Sequence, residues 1–183
     1  MTWNVMAINP GHNGSVALTV DGILEYYIEE ERMSRSKYDG NPFRGMLHIM
    51  KDHHVDFLAI CGTGQEEHRL PWTGESSYEA LVRKFNPGLQ VAKVGSEHHF
   101  GHAAATFYGS GFESAACIIV DGCGSRHNLK ASDNEEMSLQ ALETESIYLA
   151  SYPGDFDPIF KRYGDNQVPR VCRPDFEVDS AVT

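Results

Sequence analysis

The stretch NVMAINPGHNGSVALTVDGILEYYIEE, residues 4–30, holds three short β-rich runs at 4–8, 15–20 and 23–28. The loop NPGHNG joins the first two. Asp21-Gly22 joins the last two, and this dipeptide favours a tight hairpin because its backbone tolerates positive φ. The chain therefore opens as an antiparallel meander.

Outward from it runs a charged segment, EEERMSRSKYDGNP, and then Phe43, Met46, Leu47, Ile49 and Met50 at helical spacing just after Pro42. Residues 55–61 read as a buried strand, 78–85 as a helix and 89–94 as a strand. EHHFGHAAATFY reads as a helix rich in small residues. Residues 115–120, AACIIV, form an apolar strand that ends at Asp121-Gly122-Cys123-Gly124. The order β-β-β-α-β-α-β-α and a further strand predicts a mixed sheet with helices on both faces. Beyond Ser125 the periodicity weakens to a polar loop, a strand pair at 139–142 and 146–149, and a proline-bearing tail without a long helix. That last third reads as part of a domain.

With 183 residues and 41% apolar content the chain can bury a sizeable core. No run approaches the roughly 20 apolar residues of a membrane span, and the N-terminus lacks a signal-peptide pattern. A cytosolic location is expected. Cys61, Cys117, Cys123 and Cys172 form no CxxC pair or disulfide framework and read as reduced thiols. A net charge of -11 argues against extended nucleic-acid backbones as partners.

Three of the nine histidines fall within EHHFGH, residues 97–102. On a helix, His98 and His102 project from one face with β-carbons about 6 Å apart, a spacing at which two imidazoles can share a metal ion. The plainer alternative is a pair of surface or hydrogen-bonded core histidines. Asp121 sits where an apolar strand runs out, the usual place for ligands in α/β folds, although an Asp before Gly is also a common turn former. NPGHNG likewise reads either as a hairpin loop with an incidental His12 or as a loop whose backbone N–H groups face a phosphate. Arg32, Arg35 and Lys37 are candidates for an anion contact, or for surface pairing with Glu29, Glu30 and Glu31.

The segments GHNGSVALTVDGILEYYIEEERMSRSKYDG, EHHFGHAAATFYGSGFESAACIIVDGCGS and ETESIY resemble the N-terminal part of the O-carbamoyltransferase family. That family includes nodulation enzymes, enzymes that carbamoylate cephamycin or tobramycin, and phage-encoded versions. The resemblance covers roughly the first 165 residues. It implies an actin-like or sugar-kinase-like α/β fold with a ribonuclease H-type mixed sheet. It also implies use of carbamoyl phosphate and ATP, passage through carbamoyl-adenylate, and transfer of the carbamoyl group to an acceptor hydroxyl.

Carried over by residue, the resemblance makes His98, His102 and Asp121 ligands of a divalent metal, with ferrous iron as the ion. His12 becomes a general base at the transfer site, a role suited to a side chain that titrates near neutrality. Gly11, Asn13, Gly14, Gly122, Gly124, Arg35 and Lys37 become contacts to nucleotide phosphates. Asn13 stands where many relatives have Asp, and the family's fourth metal ligand, a later aspartate, has no placed counterpart.

The expected organisation is a first actin-like subdomain over 1–110 and the start of a second over 111–183, without the adenylate-forming C-terminal domain. On that expectation the sequence is either a fragment of a longer enzyme or a short form whose missing parts another chain supplies. Two classes of function stay open: the N-terminal piece of a carbamoyltransferase, or a non-catalytic nucleotide-binding and interaction module. A metal-dependent phosphohydrolase fits less well, since it calls for clustered carboxylates at strand ends.

Overall fold

The computed structural model describes residues 2–11, 13–61, 76–94, 98–122, 124–130, 138–164 and 169–172, the side chains of 128–130, 138–140 and 169–172 excepted. Asp21 and Gly22 take φ of 50° and 82°, the pair of positive values that a two-residue hairpin turn needs to match strand twist. They connect β2 (Ser15–Val20) to β3 (Ile23–Glu29), with Val20 opposite Ile23. β1 (Asn4–Asn9) lies antiparallel to β2 and parallel to β4 (Phe57–Cys61), which is parallel to β5 (Gln90–Val94). The result is a mixed five-stranded sheet in the order β3-β2-β1-β4-β5.

One face of this sheet carries the core. Met6, Ile8, Val16, Leu18, Leu58 and Ile60 alternate inward and pack with Met46 and Ile49 of α2 (Phe43–Met50) and Tyr78 and Val82 of α3 (Ser77–Arg83). Each such side chain contributes on the order of 1.5–3 kcal/mol by leaving water. Both helices therefore lie on one face, not one on each as the element order suggests. Residues of the opposite parity, such as Val5, Ala7 and Ala59, are only partly buried.

The charged segment contains a helix of its own, α1 (Glu30–Ser34). Glu30 is not a surface residue: it is 1% exposed, and its carboxylate accepts the N–H groups of Arg44 and Gly45 at 3.0 and 2.9 Å. Pro42, at the N-cap of α2, makes no side-chain cap, so Glu30 satisfies two first-turn donors from another element. Gly45 must stay small, because a β-carbon there would lie 2.6 Å from Val16 Cγ1.

The chain divides into two compact units, Met1–Gly95 and Ser96–Thr183. α4 (His98–Ser110) belongs to the second unit, where it packs Ala103 and Phe107 against Cys117, Ile119, Tyr148 and Ala150. That unit is an antiparallel sheet in the order β10-β9-β8-β6, with β7 also paired to β8. Its strands are β6 (Ser114–Val120), β7 (Arg126–Lys130), β8 (Ser138–Ser151), β9 (Asp155–Gly164) and β10 (Pro169–Cys172).

Two expectations change here. The segment expected as a strand pair, 139–142 and 146–149, is one 14-residue strand, β8, whose first part pairs with β7 and whose last part pairs with β6. A bulge at Thr144 divides it, since Glu143 and Glu145 face the consecutive residues Tyr163 and Arg162. The proline-bearing tail forms β9 and β10, and Pro158 is accommodated at a second register shift opposite Tyr148. Among the described residues no helix is long and apolar enough to cross a membrane.

Candidate metal centre

α4 presents His98 and His102 one turn apart, and the turn after β6 presents Asp121. The carboxylate of Asp121 is divided in its duties. Oδ1 accepts the N–H of Gly122 at 2.6 Å, while Oδ2 lies 2.8 Å from His98 Nε2. His102 Nε2 stands 3.0 Å from His98 Nε2 and 3.8 Å from Asp121 Oδ2. Metal bonds of about 2.1 Å place neighbouring donors about 3.0 to 3.4 Å apart at right-angled to tetrahedral geometry. The three separations bracket that range.

Proton placement gives the same answer. A carboxylate oxygen only accepts, and a neutral imidazole carries one N–H. If His98 Nε2 carries its proton toward Asp121, it has no lone pair for His102. If it is bare, it accepts from His102 but faces Asp121 lone pair to lone pair. Each arrangement leaves one close contact unsatisfied, whereas a cation among the three atoms satisfies all of them. The donor set therefore fits a divalent metal. His102 is 54% exposed at its side chain, so the open side of the site faces water.

The turn and the helix are fastened from behind. Asp121 N–H donates to Thr144 O and Gly124 N–H to Glu143 O, while the N–H of His98 donates to the hydroxyl of Ser125 at 2.9 Å. His99, next to His98 in sequence, is fully buried, with Nδ1 2.7 Å from Ser146 Oγ. Burial holds its pKa below the ordinary imidazole value. Gly124 allows this packing, because a β-carbon there would lie 2.5 Å from His99 Nε2.

Beside it lies a polar cluster that sequence reading missed. Glu143, 1% exposed, meets Lys161 Nζ at 2.5 Å and has His127 Nε2 at 3.5 Å. Burial works to raise the Glu143 pKa, but the bonded Lys161 ammonium and the His127 imidazole beside it outweigh burial and hold the carboxyl at about 2. Burial works to lower the Lys161 pKa, and the bond to Glu143 reverses the effect and raises it. No local pattern announces this pair: Lys161 reaches Glu143 only through strand pairing.

Of the other expected site residues, Gly122 and Gly124 lie in the turn that carries Asp121, while Gly11, Asn13, Gly14, Arg35 and Lys37 belong to the first unit. His12 lies outside the described residues. Gly11 N–H donates to Gly40 O and Gly14 N–H to Asp39 O, both at 2.9 Å. With Gly122 and Gly124 also bonded internally, the backbone donors of all four candidate glycines are taken up within the chain. Asn13 takes a left-handed φ of 61° in that loop. Lys37 is bound to both oxygens of Glu31 at 3.1 Å and holds the Glu31 pKa below the ordinary carboxylate value. Arg32 pairs with Glu29. Arg35, exposed, is the left-handed residue that closes α1.

No family model matches the chain. The uncharacterized protein sll1178 of Synechocystis sp. is 24% identical over 148 residues, a match that covers 62% of this chain and 24% of the relative. The chain thus spans about a quarter of the length of the curated relative it matches. Among solved structures, YeaZ from Pseudomonas aeruginosa is similar at a TM-score of 0.39 and 16% identity, over 94% of this chain and 68% of that one.

Proposed function

We propose that the chain is the metal-binding, N-terminal part of an ATP- and carbamoyl phosphate-dependent O-carbamoyltransferase of actin-like fold. One observation carries the reading: the three residues that the family resemblance assigns as metal ligands, His98, His102 and Asp121, come from two separate elements and bring their donor atoms together. The strand order supports the fold. The antiparallel meander β1-β2-β3, extended by parallel β4 and β5, has a counterpart in the antiparallel set β6-β8-β9.

In this reading His98, His102 and Asp121 hold a divalent ion, ferrous iron by the resemblance, although two imidazoles and a carboxylate also suit manganese or zinc. Such an ion supplies Lewis acidity toward phosphate oxygens when bound. His12 serves as general base on the acceptor hydroxyl.

The internal bonding of Gly11, Gly14, Gly122 and Gly124 favours a second reading, an interaction module without catalysis. Calorimetric titration of ATP with and without ferrous ion, on the chain and on a His98→Ala/His102→Ala variant, separates the two. Metal-dependent binding lost in the variant supports the transferase. Absence of nucleotide binding in every condition defeats it and leaves the module.

A further inference from the structure

The metal centre is built from two arms that the chain makes separately, α4 with His98 and His102 and the turn after β6 with Asp121. A three-donor site holds its ion well only when the arms are fixed to within about 0.5 Å of each other. The turn is anchored to β8 by three backbone bonds: Asp121 N–H to Thr144 O at 2.9 Å, Gly124 N–H to Glu143 O at 2.8 Å, and Glu143 N–H to Ser125 O at 2.9 Å. The helix begins at His98, whose N–H is one of the first-turn donors that a helix cannot satisfy from within. That N–H donates to Ser125 Oγ at 2.9 Å.

Ser125, at the end of the turn that carries Asp121, is thus held to β8 through its carbonyl and to α4 through its hydroxyl. At 2% exposure it is shut off from water, which cannot readily take over the bond. We infer that Ser125 is a positioning residue for the metal centre, setting the separation of His98 from Asp121 and so the affinity and geometry of the bound ion. The inference rests on the metal reading proposed above. An ordinary helix cap would alter stability alone. Ser125 also alters the coordination, because the residue it caps is itself a ligand.

Cobalt(II) titration of the whole chain tests this, with dissociation constants and visible d–d absorption recorded for the unaltered protein, Ser125→Ala, Ser125→Thr and His98→Ala/His102→Ala. Melting temperature without metal is measured alongside. The expected result is binding to the unaltered chain and to Ser125→Thr with the same absorption. Ser125→Ala binds about tenfold more weakly with a shifted band, and the double histidine variant does not bind. Ser125→Ala with unaltered affinity and spectrum overturns the inference and leaves the metal reading standing. Binding that survives in the double histidine variant, or none to the unaltered chain, defeats the metal reading and the inference with it. Should Ser125→Ala fail to fold, Ser125→Thr against Ser125→Val compares hydroxyl with methyl at nearly equal volume, and equal affinities in that pair overturn the inference.

Discussion

His98 Nε2 lies 2.8 Å from Asp121 Oδ2, although one belongs to the first turn of α4 and the other to the turn after β6. Neither residue has a reason in its own element to be there. Their meeting results from α4 packing on β6 and β8 through Ala103 and Phe107.

Replacing His98 or His102 by Ala should lower metal affinity by more than about tenfold. Both side chains keep contact with water, so stability without metal should stay within about 0.5 kcal/mol. Metal content by elemental analysis, with thermal melting as control, checks this, and unchanged stoichiometry in both variants removes them from the site.

The second unit should lose stability in acid through Glu143. Its folded pKa, about 2, lies below its ordinary 4.5, so its contribution is present above about pH 4.5 and disappears as pH falls toward 2. Lys161 has the opposite sign, with a raised pKa whose contribution is lost only in strong base. Glu143→Gln should flatten the acid limb of a stability–pH curve. Lys161→Met, which leaves a buried carboxylate unpaired, should cost about 3 kcal/mol at neutral pH. Denaturant midpoints across pH measure both.

How much of this was legible depended on how local each signal is. Asp21-Gly22 is read from two adjacent residues, and His98 with His102 from one helical turn. Asp121 marks the end of an apolar run. β8 was not legible as one strand, because the bulge at Thr144 reverses its alternation: Ala141 and Glu143 face inward before it, and Ser146, Tyr148 and Ala150 after it. Glu143 and Lys161, 18 residues apart, carry no pattern until the strands pair. The side that α4 takes is likewise not written in its own residues, since its apolar face does not say which sheet it will cover.

Glu30→Ala should lower stability by about 1–3 kcal/mol, because it leaves the Arg44 and Gly45 N–H groups buried without acceptors. A urea midpoint reduced at unchanged slope is the expected outcome. An unaltered midpoint would mean that water reaches the start of α2.

Gly124→Ala should destabilise the chain by about 1–3 kcal/mol even without nucleotide, since the new methyl meets His99 Nε2 and Glu143 Cβ at 2.5 and 2.9 Å. If Gly124 serves only to approach a phosphate, melting of the ligand-free variant will match that of the unaltered protein.

The extra residue at Thr144 is a spacer whose removal the inner face of β8 would not register. Without it, residues 141, 143, 146, 148 and 150 alternate unbroken, so Ser146, Tyr148 and Ala150 still turn toward α4 and His99 keeps its hydroxyl partner. What would go is the Thr144 carbonyl that accepts the Asp121 N–H, so the spacer serves the turn that carries Asp121 rather than the strand that contains it.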